Sequence, residues 1–210
     1  MKRILVTGGS GAIGSAIVHK FSNAGHVVYA PTREELDLTS TTKLTDTEFD
    51  VVINNAGINP LKDVLNVDDI VMQVNYVSPL RIVQQCLPHM IQNGYGRILN
   101  IGSIWVTQTK KNRSAYSASK AALDAMSRSI TAEYAQYNIL ANTLSPGFVD
   151  TPLTRKNNSE LEIEMLRSQI PVGRLASPKE IADYVYMLTI ENTYISGQNI
   201  VIDGGFSCVR

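Results

Sequence analysis

The sequence predicts a single-domain, doubly wound α/β fold with a mostly parallel sheet and helices on both faces. Three observations carry the prediction: short uninterrupted apolar runs, helical periodicities between them, and a glycine-rich turn directly after the first run. Strands of a parallel sheet covered on both faces read as continuous runs, not alternating ones. Such a sheet places ligands at the carboxyl ends of its strands.

Ile4-Leu5-Val6 and Val51-Val52-Ile53 are continuous apolar runs, and Val27-Val28-Tyr29, Ile98-Leu99-Asn100-Ile101 and residues 139–144 also suit strands. Covering helices are expected at about 12–24, 67–92, 114–137 and 178–190. Between Tyr29 and Val51 there is room only for a compressed crossover, with a polar segment from Pro31 and, at Asp37-Leu38-Thr39, what reads as the end of another short strand. Residues 151–170 begin with Thr151-Pro152, run through a charge-rich stretch into a short amphipathic segment, and read as a substrate lid downstream of a strand end.

Composition bounds the function. A chain of 210 residues supports one substantial core, and an apolar fraction of 44% with 18% charged residues is that of a soluble globular protein. Nineteen basic and nineteen acidic residues cancel, which argues against nucleic-acid and anionic-membrane partners. Cys86 and Cys208 make neither a disulfide framework nor a CxxC pair, so a reducing, cytoplasmic setting is expected. The apolar start ends at Thr7-Gly8-Gly9, short of a signal peptide, and no run spans a bilayer. His19, His26 and His89 stand in no metal-ligand or hydrolase motif, and no metal site is expected.

The candidate chemistry begins at Tyr116-Ser117-Ala118-Ser119-Lys120. Apolar residues at Ala115, Ala118, Ala122, Leu123, Met126 and Ile130 mark one face of a helix, and on that helix Tyr116 and Lys120 share a face. A phenol has a pKa of roughly 10. A lysine cation one turn away is expected to favour the phenolate and lower that value, making Tyr116 a usable general acid or base. Ser103, delivered from a separate strand end, can hold the substrate oxygen beside it.

The nucleotide signal is Thr7-Gly8-Gly9-Ser10-Gly11-Ala12-Ile13-Gly14, which follows the first strand and opens the first helix. Gly8 permits the turn, Ala12 and Gly14 are small enough for a pyrophosphate to approach, and amides at the helix start can bind phosphate. This is the Rossmann-type arrangement. After the second strand, Thr32 and Arg33 favour NADP(H) over NAD(H), a preference that Glu34 or Glu35 would reverse by turning inward. Asp37 is positioned to contact adenine, or on the residues alone reads equally as a turn or helix-cap aspartate.

Taken in order, Thr7 to Gly14, Asp37, Asn54-Asn55-Ala56-Gly57, Asn75, Ser103, Tyr116 to Lys120, Pro146-Gly147 and Ile202-Asp203-Gly204-Gly205 resemble the short-chain dehydrogenase/reductase family in its compact single-domain branch. The resemblance implies that Asn55, Ala56 and Gly57 form the wall beside the cofactor. It implies that Asn75 sits in a locally distorted helix and helps retain a water connected to Lys120. Tyr116 then protonates the developing alkoxide, Ser103 holds that oxygen, and Lys120 binds the nicotinamide ribose. Pro146, Gly147, Val149 and Thr151 fall in the segment beside the carboxamide, with Val149 and Thr151 in contact. Pro171 to Arg174, Pro178 to Ala182 and Ile195 to Gln198 resemble beta-ketoacyl carrier-protein reductases, which implies a homotetramer or homodimer and a small-molecule or carrier-bound carbonyl substrate, such as a 3-oxoacyl thioester.

The chain departs from the pattern in three places. It is short, with the missing length around the second and third strands; Gly11 stands where a basic residue is frequent, and Ala12 where a second glycine is. Gln92-Asn93 and Gln136-Tyr137 lack the positive charge expected of a carrier-protein dock. Lys110, Lys111 and Arg113 can attract an acidic carrier or a phosphorylated substrate, or form a solvated loop. Trp105 either lines the substrate pocket or anchors the core. Competing functions are an NADP-binding sensor without turnover, and a nucleotide-sugar-modifying enzyme, for which a substrate domain beyond this chain is expected.

Overall fold

A computed structural model describes residues 1–40 and 42–209. Six strands form one sheet in the order β2-β1-β3-β4-β5-β6. They are β1 (Arg3–Val6), β2 (Val27–Tyr29), β3 (Val51–Asn54), β4 (Gly96–Ile101), β5 (Ile139–Pro146) and β6 (Asn199–Ile202). Every pairing is parallel. The helices are α1 (Ala12–Asn23), α2 (Ile70–Met72), α3 (Ser78–Asn93), α4 (Ser114–Tyr134), α5 (Pro152–Lys156), α6 (Glu160–Gln169) and α7 (Pro178–Tyr186).

The apolar runs are continuous because neighbouring residues serve opposite cores. Leu5, Val52 and Ile98 face a cluster with residues of α3 and α4, whereas Ile4, Val6, Val51, Ile53 and Leu99 face a second one with residues of α1 and α7. The expected strands other than the one ending at Asp37-Leu38-Thr39 are present, and the sheet is parallel throughout. From β1 the chain moves outward to β2 and then returns to the other side of β1 as β3. That reversal opens a crevice at the carboxyl ends of β1 and β3.

Residues 30–50 correct one expectation. No strand end forms at Asp37-Leu38-Thr39; the Asp37 carboxylate accepts from the Thr39 amide (2.9 Å) and hydroxyl (2.8 Å), so its side chain takes a backbone donor that a strand ladder would have used. The crossover is held down by its own anchors. Leu36, Leu44 and Phe49 enter the α3/α4 core, Phe49 stacks on Tyr29 at 5.9 Å, and the Ser78 hydroxyl receives one hydrogen bond from Thr42 and gives another to the Leu38 carbonyl. β2 is therefore the edge of the sheet on this side.

Two expected helices are interrupted. The one over 67–92 starts at Ile70 and widens into a π turn at Gln73–Val77 before α3, and the one over 178–190 widens at Met187–Glu191. In the first, Asn75 is drawn out by hydrogen bonds to the preceding loop; in the second, the Thr189 hydroxyl donates back to the Val185 carbonyl. Residues 151–170 contain two short helices, α5 and α6, the second of them the expected amphipathic segment. α6 starts with a capping box between Ser159 and Glu162 and buries Ile163 and Leu166.

A polar row crosses the sheet interior. The Asn54 amide donates to the Asn100 side-chain oxygen at 2.8 Å, Asn100 donates to the Ser127 hydroxyl on α4 at 2.9 Å, and Ser127 pairs with Thr143 at 2.9 Å. These buried groups hydrogen-bond one another in place of water, although the Asn54 side-chain oxygen is left without a partner. Among the described residues no helix is long and apolar enough to cross a membrane, and no group of three or more potential metal ligands is found.

Candidate active site

The glycine-rich turn is built by close packing on the end of β3. The Thr7 hydroxyl accepts from the amides of Asn55 (3.0 Å) and Ala56 (3.1 Å), and the Asn55 side chain donates to the carbonyls of Thr7 (2.9 Å) and Gly8 (3.1 Å). Gly8 has φ +68°, and a Cβ there would stand 2.9 Å from Ala56 Cα; one on Gly14 would stand 2.1 Å from the Gly8 carbonyl oxygen. Only glycine leaves both backbones this close. A cleft of about 810 Å³ opens beside the turn.

Thr7, Gly8, Ser10, Ala12, Ile13 and Gly14 line that cleft, as do Thr32, Arg33 and Asp37 on one side and Asn55, Ala56, Gly57 and Thr151 on another. Pro146, Gly147 and Val149 lie outside its lining, as do Tyr116 and Lys120. Pro146 ends β5 in register with Ile202, Gly147 packs on Asp203, and buried Val149 bridges to Ala176. Sequence reasoning missed Leu36, Ile58, Ile70, Val74 and Leu153 among the apolar residues of the lining. Their spacing carries no motif, and only the fold brings them together.

The Glu35 carboxylate accepts from the Thr32 amide at 2.7 Å and is held away from the cleft lining, which Glu34 does not reach either. Arg33 lines the cleft with its side chain 82% exposed, and its ion pair to Asp37 is long at 4.0 Å.

Ser103 follows β4 and Tyr116 and Lys120 lie on the first turns of α4, and the packing of α4 on the sheet brings the three together. Ser103 is buried; its hydroxyl accepts from the Trp105 amide at 3.3 Å and hydrogen-bonds the Tyr116 phenol. The Lys120 ammonium lies 5.7 Å from the centre of the Tyr116 ring and donates to the Ile101 carbonyl at 2.7 Å. Asn75 is fixed at both ends of its amide: its oxygen accepts from the Ile58 amide (2.9 Å), and its nitrogen donates to the Ile58 carbonyl (3.0 Å) and the Ser119 hydroxyl (3.0 Å). Ser119 in turn donates to the Tyr116 carbonyl at 2.8 Å. This serine was not singled out from the sequence, although its place three residues after Tyr116 is a usable signal. Gly57 completes the wall, since a Cβ there would stand 3.3 Å from the Asn75 oxygen and 3.4 Å from the Lys120 nitrogen.

The electrostatics correct a second expectation. The phenol of Tyr116 lies above its ordinary pKa, not below it, because burial disfavours the phenolate more than the Ser103 hydrogen bond and the Arg113 charge favour it. Burial also lowers Lys120, to about 8, which weakens the very cation that was expected to act on the tyrosine. Below pH 8 lysine is protonated in both folded and unfolded chains, and the fold bears the full desolvation penalty. Between pH 8 and 10.5 the unfolded chain binds more protons, so this penalty is relieved as pH rises. Lys120→Met is therefore expected to raise the melting temperature at pH 7 and to flatten its dependence on pH between 8 and 10.5, measured as a difference from wild type. The shift corresponds to roughly 3 kcal/mol.

This arrangement can bind a dinucleotide along the turn and exchange a proton with a small oxygen atom at Ser103 and Tyr116. Residues 33–207 match the family described as Enoyl-(Acyl carrier protein) reductase. The 3-oxoacyl-[acyl-carrier-protein] reductase of Rickettsia conorii is 33% identical over 239 aligned positions, covering 99% of this chain and 98% of that protein. The chain belongs to the short-chain dehydrogenase/reductase family. It is an oxidoreductase that uses a nicotinamide cofactor and moves hydride between that cofactor and a ketone or secondary alcohol. The corresponding Thermotoga maritima reductase is 35% identical over 164 residues, which are 75% of this chain and 65% of that protein. Among solved structures of this family, a putative NAD(P) dependent gluconate 5-dehydrogenase from Beutenbergia cavernae with bound NADP superposes with a TM-score of 0.89 at 26% identity, covering 99% of this chain and 97% of that one.

Proposed function

We propose that this short-chain dehydrogenase/reductase reduces a ketone at Ser103 and Tyr116 with NADP(H) preferred over NAD(H), and that the reaction is reversible. The observation that carries the reading is the meeting of the Ser103 hydroxyl and the Tyr116 phenol beside the buried Lys120 ammonium. The nicotinamide, when bound, supplies or accepts the hydride. Tyr116 gives its proton to the forming alkoxide, and the high pKa produced by burial keeps it protonated for that task. Ser103 orients the same oxygen and stabilises its developing charge. Lys120 binds the nicotinamide ribose, and Asn75, tied to the loop after Gly57, holds the proton path open towards the lysine.

The cofactor fits the cradle. Gly8 and Gly14 leave the backbone bare where a pyrophosphate would approach, and Ser10, Ala12 and Ile13 line the start of α1. Thr32 and Arg33 receive the phosphate that distinguishes NADP(H), since Glu35 is occupied by the Thr32 amide. Asn55, Ala56 and Asp37 line the adenosine side, and Thr151 borders the nicotinamide. Arg33→Ala is expected to weaken NADPH binding about tenfold or more while leaving NADH binding within about twofold. Fluorescence titration with both nucleotides measures this; equal losses, or a wild-type preference for NADH, would defeat the assignment.

Two substrate forms are open to the site, a free small ketone and a carrier-bound 3-oxoacyl thioester, the second favoured by the carrier-protein reductases among the relatives. Reduction of a carbon–carbon double bond, named in the family description, is less well served, because the paired hydroxyls of Ser103 and Tyr116 address an oxygen. Residues 151–170 act as a lid: Thr151 and Leu153 line the cleft, and α6 is anchored by only two buried residues, Ile163 and Leu166. Exposed Tyr184, Met187, Tyr194, Ile195 and Val201 support a homodimer or homotetramer, and two unpaired cysteines a cytoplasmic setting. The deciding experiment is a cofactor-coupled screen of simple ketones, oxo acids, acyl thioesters and nucleotide sugars. Turnover of a ketone class supports the proposal, and tight NADPH binding without any turnover would identify a sensor.

A further inference from the structure

Arg113 is a half-buried cation with no counter-ion. It precedes α4 by one residue and Tyr116 by three, and its guanidinium stands 5.9 Å from the centre of the Trp105 ring. Among the described residues no carboxylate pairs with it, and its Nε is buried without a hydrogen-bond partner. The hydroxyls of Ser114 and Ser117 nearby in sequence are likewise buried and unpartnered. Burial lowers the pKa of Arg113, and the charge acts directly on the Tyr116 phenol. Arg97, which is more deeply buried, is treated differently: its guanidinium donates to the carbonyls of Gly96, Asn138 and Asn192.

An uncompensated cation in such a place is costly unless something else completes it. We propose that the substrate completes it: Arg113 receives a carboxylate of the substrate, so that the preferred ketones are oxo acids and the corresponding alcohols hydroxy acids. The placement carries this. Ser103 and Tyr116 hold the reacting oxygen, Trp105 follows Ser103 by two residues, and Arg113 lies over Trp105, so an oxyanion at the guanidinium belongs to the same molecule as the carbonyl. The planar fork of arginine matches a carboxylate with two hydrogen bonds, and the indole beneath orients the fork. Exposed Lys110 and Lys111 on the preceding loop add attraction for an anion from solvent. This inference rests on the reductase reading above.

The test uses acetoacetate and levulinate against their methyl esters, with wild type, Arg113→Gln and Arg113→Lys. Wild type is expected to favour the acids over the esters by about tenfold or more in kcat/KM, mainly through KM. Arg113→Gln should collapse that ratio towards one, and Arg113→Lys should restore part of it. Loss of the same factor on acid and ester alike would overturn the proposal, since Arg113 would then act only through Tyr116. Calorimetric titration of the NADP-loaded protein with succinate, and separately with inorganic phosphate, needs no turnover. Succinate binding that weakens about tenfold in a folded Arg113→Gln protein supports the site, whereas binding of phosphate but not succinate would overturn the carboxylate assignment. Arg113-dependent succinate binding without turnover of any ketone would leave the anion site standing and remove the reductase.

Discussion

Tyr116→Phe is expected to lower kcat/KM for ketone reduction by about 10²–10⁴, the usual contribution of a positioned general acid, while the Kd for NADPH changes less than about threefold. The substitution removes one oxygen and keeps the ring, so the packing of α4 and the Lys120 hydrogen bond to Ile101 are retained. Ser103 remains and can still hold the carbonyl, but it has no neighbour able to complete the proton transfer. Residual activity should therefore reflect positioning alone. Single-turnover absorbance at saturating NADPH checks the chemical step, and a loss below about tenfold would remove Tyr116 from the role of acid. Burial holds the phenol above its ordinary pKa, so reduction should keep its protonated acid across neutral pH, and oxidation of the alcohol, which needs the phenolate, should gain as pH rises.

Gly14→Ala is expected to abolish detectable nucleotide binding and to lower the melting temperature by roughly 6–12 °C, taking about 3 kcal/mol of overpacking at 2–4 °C per kcal/mol for a domain of this size. The new Cβ would stand 2.1 Å from the Gly8 carbonyl and 2.8 Å from the Asn55 side-chain nitrogen. Neither can withdraw freely: Gly8 accepts from both the Gly11 amide and Asn55, and Asn55 is tied to Thr7. The clash therefore spreads from the turn into the wall of the cleft. Gly11→Ala is the control, because its Cβ would meet only the Gly8 carbonyl at 3.4 Å from an ordinary backbone conformation. Differential scanning fluorimetry and NADPH titration on the two variants measure the contrast. Similar melting temperatures and affinities would show that the close approach at Gly14 is not needed.

Much of this architecture was legible in the sequence. Strands buried on both faces must be apolar throughout, so Ile4-Leu5-Val6 and Val51-Val52-Ile53 identified themselves, and the glycine turn was readable because backbone proximity allows few substitutes. What stayed hidden depended on side chains choosing among local partners. Asp37 caps its own turn instead of ending a strand, and Glu35 turns back to the Thr32 amide, whereas the distortion of the helix at Asn75 was already implied by the family resemblance. The sign of the Tyr116 shift was hidden for a different reason. Helical spacing reveals that Lys120 is near, but not that both groups are buried, and burial outweighs the charge. For Arg113, sequence alone left a solvated loop open, and the missing counter-ion became visible only in the folded chain.

The polar row through the sheet answers a problem that the apolar strands create. β3, β4 and β5 are buried along their whole lengths, so no alternation of polar and apolar residues tells one strand how far to slide along the next. Asn54, Asn100 and Thr143 are direct partners across the three strands, and Ser127 bridges two of them from α4. A slip by two residues would keep apolar surface against apolar surface but would strand each amide, at a cost of about 1–3 kcal/mol per orphaned group. The row works as a registration mark: it sets the height at which each strand ends, and hence the level at which Asn55 and Ser103 emerge to face the same ligand.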